Sequence, residues 1–153
     1  MKYWLMKTEP STFGIDDLAR APKRRSGWDG VRNYQVRNML RDEMRKGDLA
    51  FIYHSSCEVP GIYGIARIVA EGYPDPTAFD RKHAHYDPKS DPAAPTWYMV
   101  DVAFVKRFAR PVTLEMLKSH AHALDDFLIL KRGNRLSITP VTPTQWRKVL
   151  ALA

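Results

Sequence analysis

The chain has 153 residues, 44% hydrophobic and 27% charged, which is the make-up of one ordinary globular domain able to bury a core without covalent staples. Lysine and arginine number 24 against 17 acids, a net charge of +7, which favours a polyanionic partner over an acidic protein or a neutral small molecule. With Cys57 as the one cysteine, an intramolecular disulfide and a thiolate metal cluster are excluded, and the opening apolar run is too short for a signal-peptide core or a membrane span, so a reducing, cytoplasmic setting is expected.

Residues 3–7, "YWLMK", read as a first strand, which Pro10 ends by removing a backbone donor. A short helix over Ile15 to Arg20 follows, then a basic loop, "APKRRSG". After Gly30, Val36, Met39, Leu40 and Met44 recur at helical spacing, and Gly47 supplies a stop. Arg37, Arg41 and Arg45 share the opposite side of that helix, where like charges repel; they read as a solvated face before a phosphate-tracking ridge.

"DLAFIYHS" (48–55) and "GIYGIARIVAEGY" (61–73) are rich in β-branched and aromatic residues and flank a turn, which predicts two antiparallel neighbours. Residues 74–95 hold five prolines and form a long irregular excursion of the kind that is often functional. "TWYMVDVAFVKRF" (96–108) predicts a long strand with Tyr98, Val100, Val102 and Phe104 on one face and Asp101 on the other. Thr113 is placed to cap "LEMLKSHAHAL", and "FLILKRGNRLSITPV" reads as a strand or a hairpin turning through Gly133 and Asn134. In "TPTQWRKVLALA", Thr142, Pro143 and Gln145 spell a capping box with proline at the first helical position. Together these elements predict a single α+β domain over residues 1–153, built on a small curved sheet or barrel; periodicity does not distinguish the two.

Several long motifs, "KYWLMKTEP", "WDGVRNYQVRN", "FIYHSSCEVPGIYGIARIV", "YPDPTAFD", "YDPKSDPAAPTWYMVDVAFV" and "RGNRLSITPV", stand in an order that resembles the EVE domain family. The match runs from Tyr3 to the C-terminal helix. The resemblance implies a PUA-like mixed β-barrel with peripheral helices, related in shape to YTH domains. It also implies a non-catalytic role, the reading of modified bases, notably modified cytosine in DNA, in a pocket on the barrel surface.

Such a reader must hold an unstacked base by its faces, pair its polar edge and neutralise the backbone. For the base pocket, Trp28 offers a stacking face and Tyr34 and Tyr53 further aromatic surface, while Trp4, Trp97 and Trp146 fit the core. The Asn33 amide can donate and accept at once, or cap the helix that begins beside it. His54, Ser55 and Ser56 leave the end of a strand together and could bond a base or close the turn. Lys7, Lys23, Arg24, Arg25, Arg32 and Arg135 are the candidate phosphate contacts.

One methyl group in an apolar pocket limits discrimination to roughly 10–200-fold, and a hydroxymethyl or formyl group would give Ser55 or Asn33 something to bond. The expected partner is modified DNA or RNA, with no cofactor or metal; the oligomeric state is not written in the sequence, and a monomer is favoured. His83 and His85 with Asp80 and Asp87 form a metal-like cluster that reads as solvated rather than ligating. A general RNA binder and a nucleoside-like ligand sensor are the rival readings. An enzyme built on His54 and Cys57 is disfavoured because side chains three apart at a strand end diverge, and no phosphate loop, dinucleotide fingerprint or deaminase zinc signature is present.

Overall fold

In a computed structural model describing residues 1–153, the first strand, β1 (Tyr3–Thr8), lies inside a sheet and is buried on both faces. Trp4 and Met6 point one way and Leu5 the other, which is why this stretch is apolar without alternating. β1 pairs parallel with β3 (Leu49–His54) and antiparallel with β6 (Ile138–Val141). The sheet continues from β3 to β4 (Gly61–Pro74), β5 (Tyr98–Thr113) and β2 (Arg25–Trp28), giving the order β2-β5-β4-β3-β1-β6. The 48–55 and 61–73 stretches are antiparallel neighbours as their composition predicts.

A parallel pair needs a crossover, and the connection from β1 to β3 carries α1 (Ile15–Arg20), β2 and α2 (Tyr34–Asn38). Register shifts along β4 and β5 mark bulges that add local twist. Pairing nonetheless runs from edge strand β2 to edge strand β6 without joining them, so the sheet is open, not a closed hydrogen-bonded barrel.

Each face of the sheet carries its own core. On one, Trp4, Met6, Ile52, Ile68, Val100 and Val102 meet Ile15 and Leu18 of α1 and the Val36, Met39, Leu40, Met44 stripe. On the other, Leu5, Phe51 and Val112 meet Leu117 of α3 (Leu114–Ser119) and Trp146 and Val149 of α4 (Pro143–Leu152). There the Trp146 ring stacks on Phe51 at 3.8 Å and on Tyr3 at 4.5 Å between centroids. The capping box forms as written: Gln145 N–H donates to Thr142 Oγ1 at 3.1 Å and Thr142 N–H to Gln145 Oε1 at 3.0 Å.

Three expectations are corrected. α2 gives way after Asn38 to a π-helical turn, Met39–Glu43, in which Met44 N–H donates to Met39 O at 2.9 Å. α3 stops at Ser119, whose hydroxyl donates back to Met116 O at 2.8 Å, a side-chain bond that competes with helix continuation. Residues 127–141 form no hairpin: Leu128–Leu130 make one 3₁₀ turn, Asn134 Nδ2 donates to the Leu128 carbonyl at 2.8 Å, and β6 finds its partner in β1. No helix is long and apolar enough to cross a membrane.

Candidate functional site

Trp28 is not in a turn. It closes β2, opposite Val100 of β5, and is half-buried: one part packs on the first core, with Phe13 edge-on at 6.4 Å, while the rest forms the wall of a cavity of about 650 Å³. That volume falls in the range of roughly 300–1,000 Å³ usual for small-ligand sites. Lys7, Thr8 and Glu9 at the end of β1 form the facing wall, and His85 reaches in from the 74–95 excursion. The cavity thus sits where an aromatic face, a cation and two exposed carboxylates, Glu9 and Asp29, converge.

The excursion is anchored to this wall by Arg32 and Asp75. Arg32 Nε and Nη2 donate to the His85 carbonyl at 3.2 and 2.6 Å, and Nη2 also donates to Thr77 Oγ1 at 3.3 Å. Its Nη1 donates to Val31 O at 2.9 Å and Asp75 Oδ2 at 3.1 Å. Every guanidinium nitrogen is therefore engaged within the protein, and Arg32, expected to contact phosphate, instead works as an internal clamp. Burial pushes the Asp75 carboxyl up, but hydrogen bonds from Thr77, the Gly30 N–H and Arg32 outweigh it and hold the group below the usual carboxylate range. Gly30 adopts φ +78°, and a side chain there would run into the His85 ring.

The other residues expected in the base pocket lie outside its wall. Asn33 is the N-cap of α2: Val36 N–H donates to its Oδ1 at 3.0 Å, so the capping role takes its acceptor. Tyr34 is 61% exposed and leans on Trp97 at 4.9 Å, with the Arg37 guanidinium 5.2 Å from the centroid of its ring. Tyr53 points into the second core, where burial raises its hydroxyl to about 12. His54 is also buried, stacked on Tyr63, and its Nε2 accepts the Ile15 N–H at 3.1 Å, serving the start of α1. Ser55 donates its N–H to Thr8 O at 2.9 Å and Ser56 turns the chain at φ +53°, so both close the turn. Strand alternation explains the place of Tyr53: β3 runs beside β1, whose end lines the cavity, but the Tyr53 side chain goes to the second core.

Among the expected phosphate partners, Lys7 lines the cavity. Lys23 and Arg24 are exposed in a tight turn at φ +56° and +54°, with Arg24 5.7 Å from the Phe104 ring, and Arg25 begins the strand that ends at Trp28. Arg135 is exposed before β6 and away from the cavity wall. The arginines of the helix stripe bond within the protein: Arg37 Nη1 donates to the distant Thr96 O, Arg41 to the adjacent Asp42 carboxylate and Arg45 Nη2 to Asp42 O.

The expected acidic partners of the histidine pair are used elsewhere, Asp80 accepting from Lys82 N–H at 3.0 Å and Asp87 from Trp97 Nε1 at 2.6 Å. Asp29 takes their place, with its carboxylate and ring nitrogens of His83 and His85 all within 4.8 Å of one another. Asp29, Thr12, Phe13 and Ser26 also line the cavity, and none of them is among the pocket residues that the sequence predicts. Recognising "RSGW" as a short edge strand would have placed Asp29 at its exit.

The EVE domain model matches residues 2–152. The chain belongs to the EVE family. Thymocyte nuclear protein 1 of Homo sapiens is 45% identical over 166 residues, covering 98% of this chain and 73% of the human protein. A crystal structure of human THYN1 protein in complex with 5-methylcytosine-containing DNA superposes with a TM-score of 0.93 at 44% identity, over 99% of this chain and 97% of that one. A Pseudomonas putida crystal structure matches with the same TM-score of 0.93 at 49% identity, over 98% of both chains.

Proposed function

We propose that this EVE domain is a non-catalytic reader of nucleic acid that takes a modified base, foremost modified cytosine in DNA, out of the stack and into the cavity beside Trp28. The observation that carries the reading is the position of Trp28, whose ring is backed by the core and presents its remaining surface to a cavity large enough for a small ligand. Support comes from the human THYN1 protein, similar over nearly the whole chain, whose crystal structure was determined with 5-methylcytosine-containing DNA. The bulged β4–β5 pair is consistent with a PUA-like sheet supporting that cavity. Lys7 and the exposed Lys23, Arg24 and Arg25 supply charge along the approach to Trp28, and the net charge of +7 suits a polyanion.

A non-catalytic reading fits the engagement of His54, whose Nε2 accepts a backbone N–H and is not offered to Cys57. Binding of matched oligonucleotides carrying cytosine or 5-methylcytosine, in DNA and in RNA, is measured at fixed salt for wild type and Trp28→Ala. Loss of stacking is expected to cost about 1–3 kcal/mol on the modified substrate. Equal binding of all substrates, unaffected by Trp28→Ala, overturns the proposal.

A further inference from the structure

We infer that Asp29 and His85 together read the polar edge of the base, and that the cavity therefore selects cytosine over thymine. This rests on the reading of the cavity as a base pocket. Both residues line it, and the Asp29 carboxylate lies within 4.8 Å of a His85 ring nitrogen, although Asp29 is on the exit of β2 and His85 in the distant excursion. The Arg32 clamp on the His85 carbonyl and the Asp75 bond to the Gly30 N–H fix the two segments against each other.

The hydrogen-bonding state of His85 follows from its packing. The nitrogen-bearing edge of the ring lies against the Cα of Gly30, and Nδ1 is sealed from solvent without any partner. A buried N–H without an acceptor is a rarer and costlier defect than a lone pair without a donor, so the neutral ring carries its proton on Nε2. Nε2 is not sealed and is left as a donor. Asp29, with no protein partner for its carboxylate, can only accept. The wall thus offers an acceptor beside a donor.

That order matches cytosine, whose exocyclic amino group would donate to Asp29 while the adjacent ring nitrogen accepts from His85; adenine presents the same order. In the same pose thymine reverses it, setting its O4 against the carboxylate and its ring N–H against the His85 ring N–H. The distinction matters because thymine carries the same ring methyl as 5-methylcytosine, and an apolar patch that senses the methyl group cannot separate the two. A bound cation among Asp29, His83 and His85 is the rival occupant. His83 Nδ1 already accepts the His85 backbone N–H at 3.0 Å, which places its proton on Nε2 too, so a metal ion held by both Nε2 atoms would force the protons onto Nδ1, against a backbone N–H in one ring and into a sealed site in the other.

The test compares oligonucleotides identical except for one position, 5-methylcytosine, thymine or an abasic site, with wild type, Trp28→Ala, Asp29→Asn and His85→Phe. Wild type is expected to prefer 5-methylcytosine over thymine by roughly 5- to 150-fold, the range of one good bidentate base contact. Asp29→Asn can turn a donor toward O4 and should shrink that ratio several-fold; since it also removes a negative charge, the ratio and not the absolute affinity is read, and thermal unfolding confirms that the variant folds. Equal binding of 5-methylcytosine and thymine by wild type, or an unchanged ratio in both Asp29→Asn and His85→Phe, overturns the edge assignment. If Trp28→Ala still weakens 5-methylcytosine binding in that case, the base-pocket reading survives; if it does not, both fall. Zinc chloride added to wild type without oligonucleotide should leave the melting temperature unchanged, and a rise abolished by His83→Ala would replace the base-edge role with a metal site.

Discussion

Arg32 and Asp75 meet at 3.1 Å although 43 residues separate them, and the carboxylate has no exposed side-chain surface. A buried ion pair adds little over a well-packed apolar pair, but removing one partner strands the other without solvent. Arg32→Ala should therefore destabilise the fold by about 3–5 kcal/mol in urea unfolding. Arg32→Lys should recover only part of this, because a single ammonium cannot span the four acceptors that the guanidinium fork serves. If Arg32 contacted phosphate, the lysine variant would instead keep full stability and change only nucleic-acid affinity.

Gly30 stands between that clamp and the cavity. Gly30→Ala should lower stability by about 1–2 kcal/mol from the left-handed backbone alone, with more from displacing the His85 ring. Thermal unfolding measures the first effect. A loss of affinity for the 5-methylcytosine oligonucleotide larger than the fraction unfolded explains would report the second.

His54 gives the protein a pH-dependent term. Burial lowers its affinity for a proton below the ordinary value of 6.5, with Asp16 and Asp17 opposing that shift and Arg107 adding to it. Between the folded value and 6.5 the unfolded chain binds more protons, so this contribution is complete above 6.5 and is lost as the pH falls below it. His54→Gln keeps an acceptor for the Ile15 N–H but does not titrate. Its melting temperature should fall less than that of wild type between about pH 7 and pH 5; parallel profiles would show that His54 does not contribute.

Lys23, Arg24 and Arg25 are exposed and lead along the chain to Trp28. Charge reversal of all three residues should weaken every oligonucleotide alike and flatten the salt dependence by about 0.7 log units per lost phosphate contact on a single strand. Arg135→Glu provides a comparison from outside the cavity wall. Unchanged affinity and slope in the triple variant would remove this turn from the footprint.

Local rules carried the sequence reading a long way. α1 falls over the residues expected, the Val36 to Met44 stripe is buried, and Thr113 and Thr142 cap their helices, because each signal is decided within a few residues. What failed depended on distant partners. Arg32 looked like any surface cation until Asp75 and the His85 carbonyl were brought to it. Asn33 was legible as either cap or base reader, and the Val36 N–H decides its local role. Asp29 and His85 carry no motif that links them; only the folded excursion does. The choice between barrel and open sheet was equally invisible, since alternation gives each strand a face but does not say whether the edges join.

The position of β1 has a consequence for how the chain comes to be folded. Of the six strands of the sheet it is synthesised first, yet one neighbour, β6, spans residues 138–141 and pairs Tyr3 with Val141. Until that segment emerges, β1 has an unpaired side, and the surface later covered by Trp146 stays bare. Contacts of such long sequence separation slow folding and prolong the exposure of strand edges. The last elements made complete the sheet begun by the first, so shortening the chain before Ile138 should leave a nascent domain prone to aggregate instead of a smaller stable one.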